Sequence, residues 1–382
     1  MRPDWIVSTN DAKYQRVAGG DTYPCDAPCD TMDLIDATSF PQRVVATVDV
    51  RTTIVGPPQA VALSPDGQLA VVSAPNRYAA ARDECVFENY LQVVDLSIES
   101  PRVVQRVPTS HHPQGVAFHP SGHLLLAATV GGTIESFAVE GQRLVRTSEM
   151  IVSSGRLSGV TFTADGTTAI VLLRDAQGAA VLEVEGSSVH LTNERISTGV
   201  APYAVDVCGD GRWAVIGNVG LAGLPGFAGQ LAGDADTVTL VDISRRPFRA
   251  VQHLSVPALP EGVAISPNGR WIAALTMDGS NLKPDNPGRR ERGRIRLFEL
   301  RDGQAHAAGD LPAGEAGQGI VFTADSQYIL AQFNVEKMLA VYGFKDGAWG
   351  DTGHRIPTQG GPCSIRAMPG RRFSTTATEG PA

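Results

Sequence analysis

The stretch PEGVAISPNGRWIAAL, residues 260–275, has the pattern of a β-hairpin. Two short apolar runs flank the turn-forming residues Ser-Pro-Asn-Gly, and each run has the length of a single strand. Six further stretches repeat the pattern, the last of them one residue short at its turn, and they start at Pro58, Pro113, Leu157, Pro202, Gly317 and Pro362. Such regular recurrence of one hairpin predicts a repeat architecture.

The spacing of the hairpins identifies the kind of repeat. The turn glycine or its equivalent recurs after 44 to 58 residues, at Gly67, Gly122, Gly166, Gly211, Gly269, Ser326 and Gly370. A four-stranded propeller blade occupies about 40–45 residues, so the short intervals fit one blade and the longer ones need only loop insertions. Third and fourth strands follow the hairpins, for example YLQVVDLS (90–97) and RVVQRVP (102–108). No segment of comparable length has helical periodicity, so we expect an all-β fold.

The two chain ends together complete the number of blades. The N-terminal segments DWIVSTND (4–11), TMDLIDAT (31–38) and QRVVATVDV (42–50) match strands B, C and D of a blade that lacks strand A. The seventh hairpin supplies the missing strand, which closes the ring and leaves no open sheet edge. We therefore predict a single seven-bladed β-propeller over residues 1–382. Its closing blade combines about 1–50 with 360–373, and residues 374–382 form a loose tail.

The repeats resemble those of a known group of propellers. Motifs of the form P-x-G-V-A-x-S-P-D/N-G, followed by VVDLS (93–97) or LVDIS (240–244), are similar to the YVTN repeats of YncE-like and lactonase-like seven-bladed propellers. The resemblance covers nearly the whole chain and implies the architecture. That superfamily includes lactone hydrolases such as 6-phosphogluconolactonase, the fungal carboxymuconate cycloisomerase, streptogramin lyases and binding proteins. The chemistry stays open, because one fold supports many functions.

Composition excludes several classes of partner. The formal net charge is −8 and no Lys/Arg-rich block occurs, so we expect no nucleic-acid partner. The apolar runs are shorter than the roughly 20 residues of a membrane-spanning helix, and no secretory signal is recognisable, so we expect a cytoplasmic protein without a membrane partner. The 5 cysteines are irregularly spaced, which argues against a disulfide framework. Cys25 and Cys29 have two open interpretations: they hold a loop closed, or they bind a metal ion.

Strand direction separates the polar residues onto two faces of the disc. In antiparallel blades, the D–A and B–C connections share one face, here called the mouth face, and the A–B turns lie on the opposite turn face. In HHPQGVAFHPSGH, residues 111–123, His111 and His112 precede strand A, whereas His119 and His123 flank an A–B turn. A strand of about 20 Å separates the pairs, so they cannot share one metal ion, and we expect His119 and His123 to be solvated turn residues.

Long insertions mark the mouth face as functional. Segments of this length in a compact domain often carry function, and four follow a B strand, at 10–30, 75–90, 219–236 and 277–293. The glycine-rich stretch 217–234 is interpreted as a lid whose apolar side chains cover the mouth, namely Leu221, Leu224, Phe227 and Leu231.

A polar residue recurs at the start of each A strand, always followed by a small one. The polar positions are Gln59, Gln114, Ser158, Tyr203, Glu261, Gln318 and Cys363. Crowding of seven inner strands explains the small residues, whereas the polar ring offers convergent groups for a ligand. Further along strand A, Asp206 and Arg366 place charges on the innermost strands, where they contact substrate or pair with each other.

These positions suggest acid–base chemistry on a small molecule. His111 or His112, with Glu261, would form a general acid–base pair, and Arg156 would hold a carboxylate or an oxyanion. We expect the remaining substrate contacts from Gln59, Gln114, Gln318, Tyr203, Cys363, Asp206 and Arg366. Such a mixture is similar to that of the lactonase and cycloisomerase relatives, which implies opening or formation of a lactone without a metal or other cofactor.

Two alternatives remain open. A lyase or isomerase would use the same face and could require a divalent cation, although no cation motif is present. A binding propeller without catalysis would retain its ligand after loss of any single acid–base residue. The sequence leaves the substrate and the oligomeric state undecided.

Overall fold

The computed structural model describes residues 4–17, 20–24, 28–224 and 235–369. Over these ranges the chain forms seven four-stranded antiparallel sheets arranged as a β-propeller, which confirms the predicted fold class. Gly370, the last hairpin marker, and the proposed tail 374–382 lie outside the described residues.

Each blade runs from an innermost strand A to an outermost strand D. Blade 1 comprises Gly361–Ala367, Trp5–Asp11, Thr31–Asp36 and Arg43–Asp49, and blade 2 comprises Val61–Leu63, Leu69–Val72, Tyr90–Asp95 and Arg102–Pro108. Blade 3 comprises Pro113–Phe118, Leu124–Thr129, Thr133–Glu140 and Arg143–Ile151, and blade 4 comprises Leu157–Phe162, Thr168–Leu173, Ala179–Glu185 and Ser188–Ile196.

The other three blades repeat this order. Blade 5 comprises Pro202–Val207, Trp213–Asn218, Asp236–Asp242 and Arg249–Val256, and blade 6 comprises Pro260–Ile265, Trp271–Thr276, Arg294–Arg301 and Gln304–Pro312. Blade 7 comprises Gly317–Phe322, Tyr328–Phe333, Met338–Lys345 and Ala348–Pro357. Two small hairpins, Gln15–Val17 with Gly20–Thr22 and Asn76–Ala79 with Glu84–Phe87, lie in the mouth-face insertions, as do the 3₁₀ turns Ala80–Arg82 and Leu221–Gly223. Within the described ranges, no helix is both long and apolar enough to cross a membrane.

Blade 1 joins the two chain ends. Its strand A, Gly361–Ala367, pairs antiparallel with Trp5–Asp11. The buried side chain of Gln332 in blade 7 secures this junction, because its Nε2 donates to Ser8 Oγ at 2.8 Å and to the Ser364 carbonyl at 2.9 Å. Its Oε1 accepts from the Gly319 N–H at 3.0 Å. The ring is thus closed by hydrogen bonds that join three segments far apart in the sequence.

The hydrophobic core lies between neighbouring blades rather than inside each one. Leu124 and Leu126 of blade 3 pack with Leu157 and Val160 of blade 4, and all four side chains are fully buried. Equivalent layers join the other blades around the ring. Each blade therefore depends on its neighbours for stability, which is typical of propellers.

The insertions pack together on the mouth face. The Arg16 guanidinium of the first insertion donates to the Asn281 carbonyl of the last, and Tyr23 stacks on Tyr78 of the second at a ring distance of 5.6 Å. The placement of the long insertions on one face is confirmed.

Small residues on the inner strands allow the blades to approach closely. A Cβ atom on Gly262 would lie 2.6 Å from the Gln318 carbonyl oxygen and 2.9 Å from the Ile320 nitrogen, both in the backbone of the next blade. A Cβ atom on Gly115 would lie 2.5 Å from the Ser158 carbonyl oxygen. Since backbone atoms cannot move aside as a flexible side chain can, these positions require glycine.

We therefore expect Gly262→Ala to lower the free energy of unfolding by about 1–3 kcal/mol, the usual cost of overpacking. The matched control is Gly350→Ala, where an added Cβ meets no atom within 4 Å and the residue is exposed on an outer strand. Denaturant unfolding of both variants checks this. Equal stability of the two variants would contradict the crowding argument.

Candidate functional site

Two members of the polar ring, Tyr203 and Glu261, form a cluster with Arg174 on the mouth face. Tyr203 and Glu261 are each the extra residue of a β-bulge. The register of strand A shifts between Pro202 and Ala204 in blade 5, and between Pro260 and Gly262 in blade 6. A bulge redirects the side chain of its extra residue and is common beside functional sites.

Arg174 lies at the mouth-face end of strand B in blade 4 and connects the cluster. Its guanidinium carbon is 4.5 Å from the centre of the Tyr203 ring, a cation–π contact. Its Nε donates to the Gly223 carbonyl at 3.0 Å, which ties it to the start of the 219–236 insertion. Leu224 of the same insertion packs against the small apolar group of Ala201, Tyr203 and Val219, and the lid itself stays a prediction. Phe227 and Leu231 lie outside the described residues.

The carboxyl group of Glu261 is surrounded by protein, and the residue as a whole is only partly exposed. Burial raises its pKa to about 7, against the opposing effect of the positive charge of Arg174. Within the described ranges, its carboxylate accepts no hydrogen bond from the protein. A carboxyl group that titrates near neutral pH and has a free carboxylate is suited to proton transfer.

Burial also raises the pKa of Tyr203 well above its ordinary value, and the negative charge of Glu261 adds to this effect. The hydroxyl therefore stays protonated at neutral pH. It can donate a hydrogen bond to a bound molecule.

Arg156, predicted as a substrate anchor, is held by Asp175 beside the same cluster. Its Nη2 lies 2.8 Å from Asp175 Oδ1 and its Nε lies 3.0 Å from Oδ2, a two-pronged ion pair. Its Nη2 also contacts the Gly223 carbonyl at 3.4 Å. Arg156 is thus already neutralised, and Arg174 is the arginine whose charge acts on Glu261.

The remaining ring members are buried and bonded within the protein. Gln59 reaches across the axis, where its Nε2 donates to the Val205 carbonyl and its Oε1 accepts from the Val205 N–H at 3.1 Å. Ser158 Oγ donates to the Pro202 carbonyl at 2.8 Å, and Gln318 Nε2 donates to the Ala316 carbonyl at 3.2 Å. Cys363 Sγ lies 3.3 Å from Thr9 Oγ1, and Gln114 is buried. Gln59 and Ser158 thus bond to the backbone of another blade, whereas Gln318 and Cys363 bond within or next to their own blades.

The two mouth-face histidines lie apart from Glu261. His112 is buried, with Nδ1 2.8 Å from the Glu88 carbonyl and its ring 5.0 Å from that of Phe87, and burial lowers its pKa. His111 is exposed. Among the described residues, no hydrogen bond or ion pair joins either histidine to Glu261. The predicted acid–base pair is therefore not assembled, and the catalytic role of His111 and His112 stays a prediction.

Asp206 and Arg366 pair with each other, as one reading of the sequence proposed. Arg366 Nη1 lies 3.5 Å from Asp206 Oδ1, with the two residues on blades 1 and 5. They lie beyond Gln59, on the turn-face side of the axis, in a cavity of about 150 Å³. They therefore do not belong to the mouth-face cluster.

His119 departs from its predicted solvated state, whereas the prediction for Cys25 and Cys29 stays untested. His119 is half-buried rather than solvated, because its ring nitrogens contact Ser121 Oγ at 2.7 Å and the Gly166 carbonyl at 3.0 Å. Cys29 is a free thiol, and Cys25 lies outside the described residues. Over the described part of the chain, no group of three or more His, Cys, Asp or Glu side chains could hold a metal ion.

Sequence reasoning missed Arg174 and Asp175. Both stand in the segment RDAQG, residues 174–178, directly after strand B of blade 4. Because every B strand ends on the mouth face, a charged pair at this point was a usable signal. The polar ring does not include these two residues, because it consists of the starts of the A strands.

Solved structures share the fold. A candidate 6-phosphogluconolactonase from Bacteroides uniformis is 15% identical, with a TM-score of 0.68 over 96% of this chain and 100% of its own. The periplasmic gluconolactonase of Pseudomonas aeruginosa is 16% identical, with a TM-score of 0.64 over 96% and 98%. Hydrazine synthase of Kuenenia stuttgartiensis is 17% identical, with a TM-score of 0.61 over 82% and 90%.

At these identities the likeness shows the fold alone, and the three names cover different chemistries. No family model matches the chain, and no curated protein matches its sequence. The similarity to lactonase structures agrees with the lactonase-like resemblance of the repeats, while the YVTN and YncE assignment has no matching family model.

The buried Glu261 carboxyl should make stability depend on pH. Its pKa of about 7 in the folded state lies above its ordinary 4.5, so its stabilising contribution is complete below pH 4.5 and is lost as the pH rises through 7. We expect Glu261→Gln, which cannot ionise, to be more stable than the wild type at pH 8 by about 1–3 kcal/mol. This advantage should shrink towards pH 5.

Thermal unfolding between pH 5 and 8 measures the difference, and Glu140→Gln, an exposed carboxyl group on blade 3, is the matched control. The raised pKa of Glu261 would be contradicted if Glu261→Gln and the wild type differed in stability by the same amount at pH 5 and at pH 8.

Proposed function

We propose that this protein is a lactonase-type hydrolase that opens a small lactone at the mouth-face cluster of Glu261, Arg174 and Tyr203. One observation carries the proposal: the buried carboxyl group of Glu261 has a pKa of about 7 and lies close enough to a guanidinium for their charges to interact. Ester hydrolysis requires such a combination, a base to activate water and a positive charge for the oxyanion.

In the proposed reaction, the ionised Glu261 carboxylate removes a proton from water as the water oxygen attacks the lactone carbonyl carbon. Arg174 stabilises the negative charge that develops on the carbonyl oxygen, and the protonated Tyr203 hydroxyl donates a further hydrogen bond. The ring C–O bond then breaks, and the proton held by Glu261 passes to the leaving alkoxide. One lactone and one water thus yield one hydroxy acid.

The surroundings support a small substrate. The Gly223 carbonyl of the 219–236 insertion accepts hydrogen bonds from Arg174 and Arg156, and the ion pair of Arg156 with Asp175 lies beside the cluster. Exclusion of bulk water strengthens the interaction between a guanidinium and an oxyanion. The similarity in fold to the gluconolactonase and to the candidate 6-phosphogluconolactonase supports the same reaction class.

A pH-stat assay on a panel of γ- and δ-lactones, with and without EDTA, tests the proposal. We expect acid release that is insensitive to EDTA and a rate that rises with pH around a midpoint near 7. Glu261→Gln should lower kcat/KM by at least about 100-fold, and Glu140→Gln should leave it unchanged. Acid release that survives Glu261→Gln would overturn the assignment of the base.

Arg174→Met gives a sharper prediction, because the positive charge of Arg174 lowers the pKa of Glu261. Besides a loss of about 100-fold in kcat, the midpoint of the pH–rate profile should move to higher pH. A purely structural role for Arg174 would lower the rate and leave the midpoint where it is.

The histidine prediction is tested in the same assay. If the mouth-face cluster alone carries the chemistry, His111→Ala should retain full turnover, since the side chain is exposed and apart from Glu261. Loss of turnover in His111→Ala, with stability intact, would show that His111 takes part in catalysis.

A further inference from the structure

The turn between strands B and C of blade 4 supplies polar side chains to the mouth-face cluster. It comprises residues 174–178, RDAQG, with Arg174 in contact with the Tyr203 ring and Asp175 beside it. Gln177 of the same turn has a φ of 67°, in the left-handed region. Glycine and asparagine adopt this region at lower cost than glutamine does, so the backbone conformation does not account for the glutamine side chain.

The side-chain amide of Gln177 bridges two blades. Its Nε2 donates to the Asp175 carbonyl at 3.1 Å and to the Arg174 carbonyl at 3.4 Å. Its Oε1 accepts a hydrogen bond at 2.7 Å from the N–H of Ala201, which is fully buried and lies two residues before Tyr203. One amide group therefore joins the backbone of the blade 4 turn to the backbone that leads into strand A of blade 5.

This bridge acts on both sides of the contact between Arg174 and Tyr203. The guanidinium carbon lies 4.5 Å from the centre of the ring, although the two residues belong to different blades. Gln177 bonds to the carbonyl of Arg174 on one side and, through Ala201, to the segment before Tyr203 on the other. It thereby sets the separation of the two backbones from which these side chains extend.

The turn is also held by bonds that do not involve the side chain of Gln177. The Gly178 N–H donates to Thr198 Oγ1 at 3.1 Å, and the Gly178 carbonyl accepts from the Leu173 N–H at 3.0 Å. These two bonds close the turn and attach its end to the connection between blades 4 and 5. Removal of the Gln177 amide should therefore shift the residues of the cluster without unfolding the turn.

We propose that Gln177 is a positioning residue of the mouth-face cluster, which holds Arg174 at the place where it acts on Glu261 and on the oxyanion. The second of these roles rests on the proposed function, whereas the first concerns the protein alone. Gln177 contacts no reacting atom in the proposed reaction and acts through Arg174. A displacement of about 1 Å in a catalytic group can lower the rate about 100-fold, because charge stabilisation depends on placement.

The variant Gln177→Asn tests the inference. Asparagine tolerates the left-handed region, but it is one methylene shorter and cannot reach both blades. Lys337→Asn is the matched control, because Lys337 has a φ of 54° in the corresponding turn of blade 7 and its side chain is exposed. Both variants place asparagine at a left-handed residue of a B–C turn, and only Gln177→Asn removes a bridge between blades.

The titration of Glu261 is a readout that requires no substrate. The positive charge of Arg174 lowers the pKa of Glu261, so a displaced guanidinium should move the titration midpoint above about 7. Carbon-13 NMR of protein labelled at the glutamate carboxyl carbons measures this midpoint, and the Glu261 signal is assigned by its absence in Glu261→Gln. We expect a higher midpoint in Gln177→Asn, by less than in Arg174→Met, and the wild-type midpoint in Lys337→Asn. A wild-type midpoint in Gln177→Asn would overturn the inference.

A double variant shows whether Gln177 acts through Arg174. In the Arg174→Met background, the addition of Gln177→Asn should leave the Glu261 midpoint where Arg174→Met alone has placed it. A further rise of the midpoint in the double variant would mean that Gln177 acts on Glu261 by another route, and it would overturn the inference.

Lactone turnover tests the catalytic part of the role. Gln177→Asn should lower kcat about tenfold or more with little change in KM, and the midpoint of its pH–rate profile should rise together with the titration midpoint. Full turnover in Gln177→Asn would overturn the role in catalysis. If the wild type opens no lactone, the proposed function fails, whereas the NMR titration still decides whether Gln177 positions Arg174 near Glu261.

Discussion

The convergence of seven inner strands on one axis is the constraint on which the rest of the structure depends. At Gly262 the backbone of blade 7 is so close to that of blade 6 that even one methyl group would collide with it. This proximity is possible only with small residues after the ring positions, and it brings polar side chains of different blades within bonding distance. Closure of the ring through Gln332 and the hydrogen-bonded bridge from Gln59 to Val205 both follow from it.

The two ends of the propeller axis are different chemical environments. On the mouth face, bulged residues and a long insertion surround a carboxyl group that titrates near neutral pH and is suited to proton transfer. On the turn face, the ends of the A strands surround the ion pair of Asp206 and Arg366 in a cavity of about 150 Å³. The difference arises because insertions occur only where B strands end, while the A–B turns stay short and leave the opposite end open.

Members of the polar ring that follow the repeat pattern have a different role from those that depart from it. Gln59, which follows the common pattern, connects blades 2 and 5, and Gln318 bonds to the Ala316 carbonyl just before its own strand. The pattern-breaking Tyr203 and Glu261 instead enter the candidate site. His112 stood out in the sequence, yet its ring faces Phe87 and the Glu88 carbonyl of the neighbouring blade. Spacing along the chain fixes which face a residue occupies, but the direction of its side chain depends on packing between blades.

The sequence by itself determined the seven blades, their four-stranded form, the joining of both chain ends in one blade and the face that carries the insertions. These features depend on hydrophobic periodicity and turn residues, which act over a few neighbouring positions. Only the tertiary structure decided that Arg174, rather than a histidine, lies near Glu261, and that Asp206 and Arg366 belong to a separate pocket. The reason is physical: these charge interactions join residues 87 and 160 positions apart on different blades, and no local pattern encodes them.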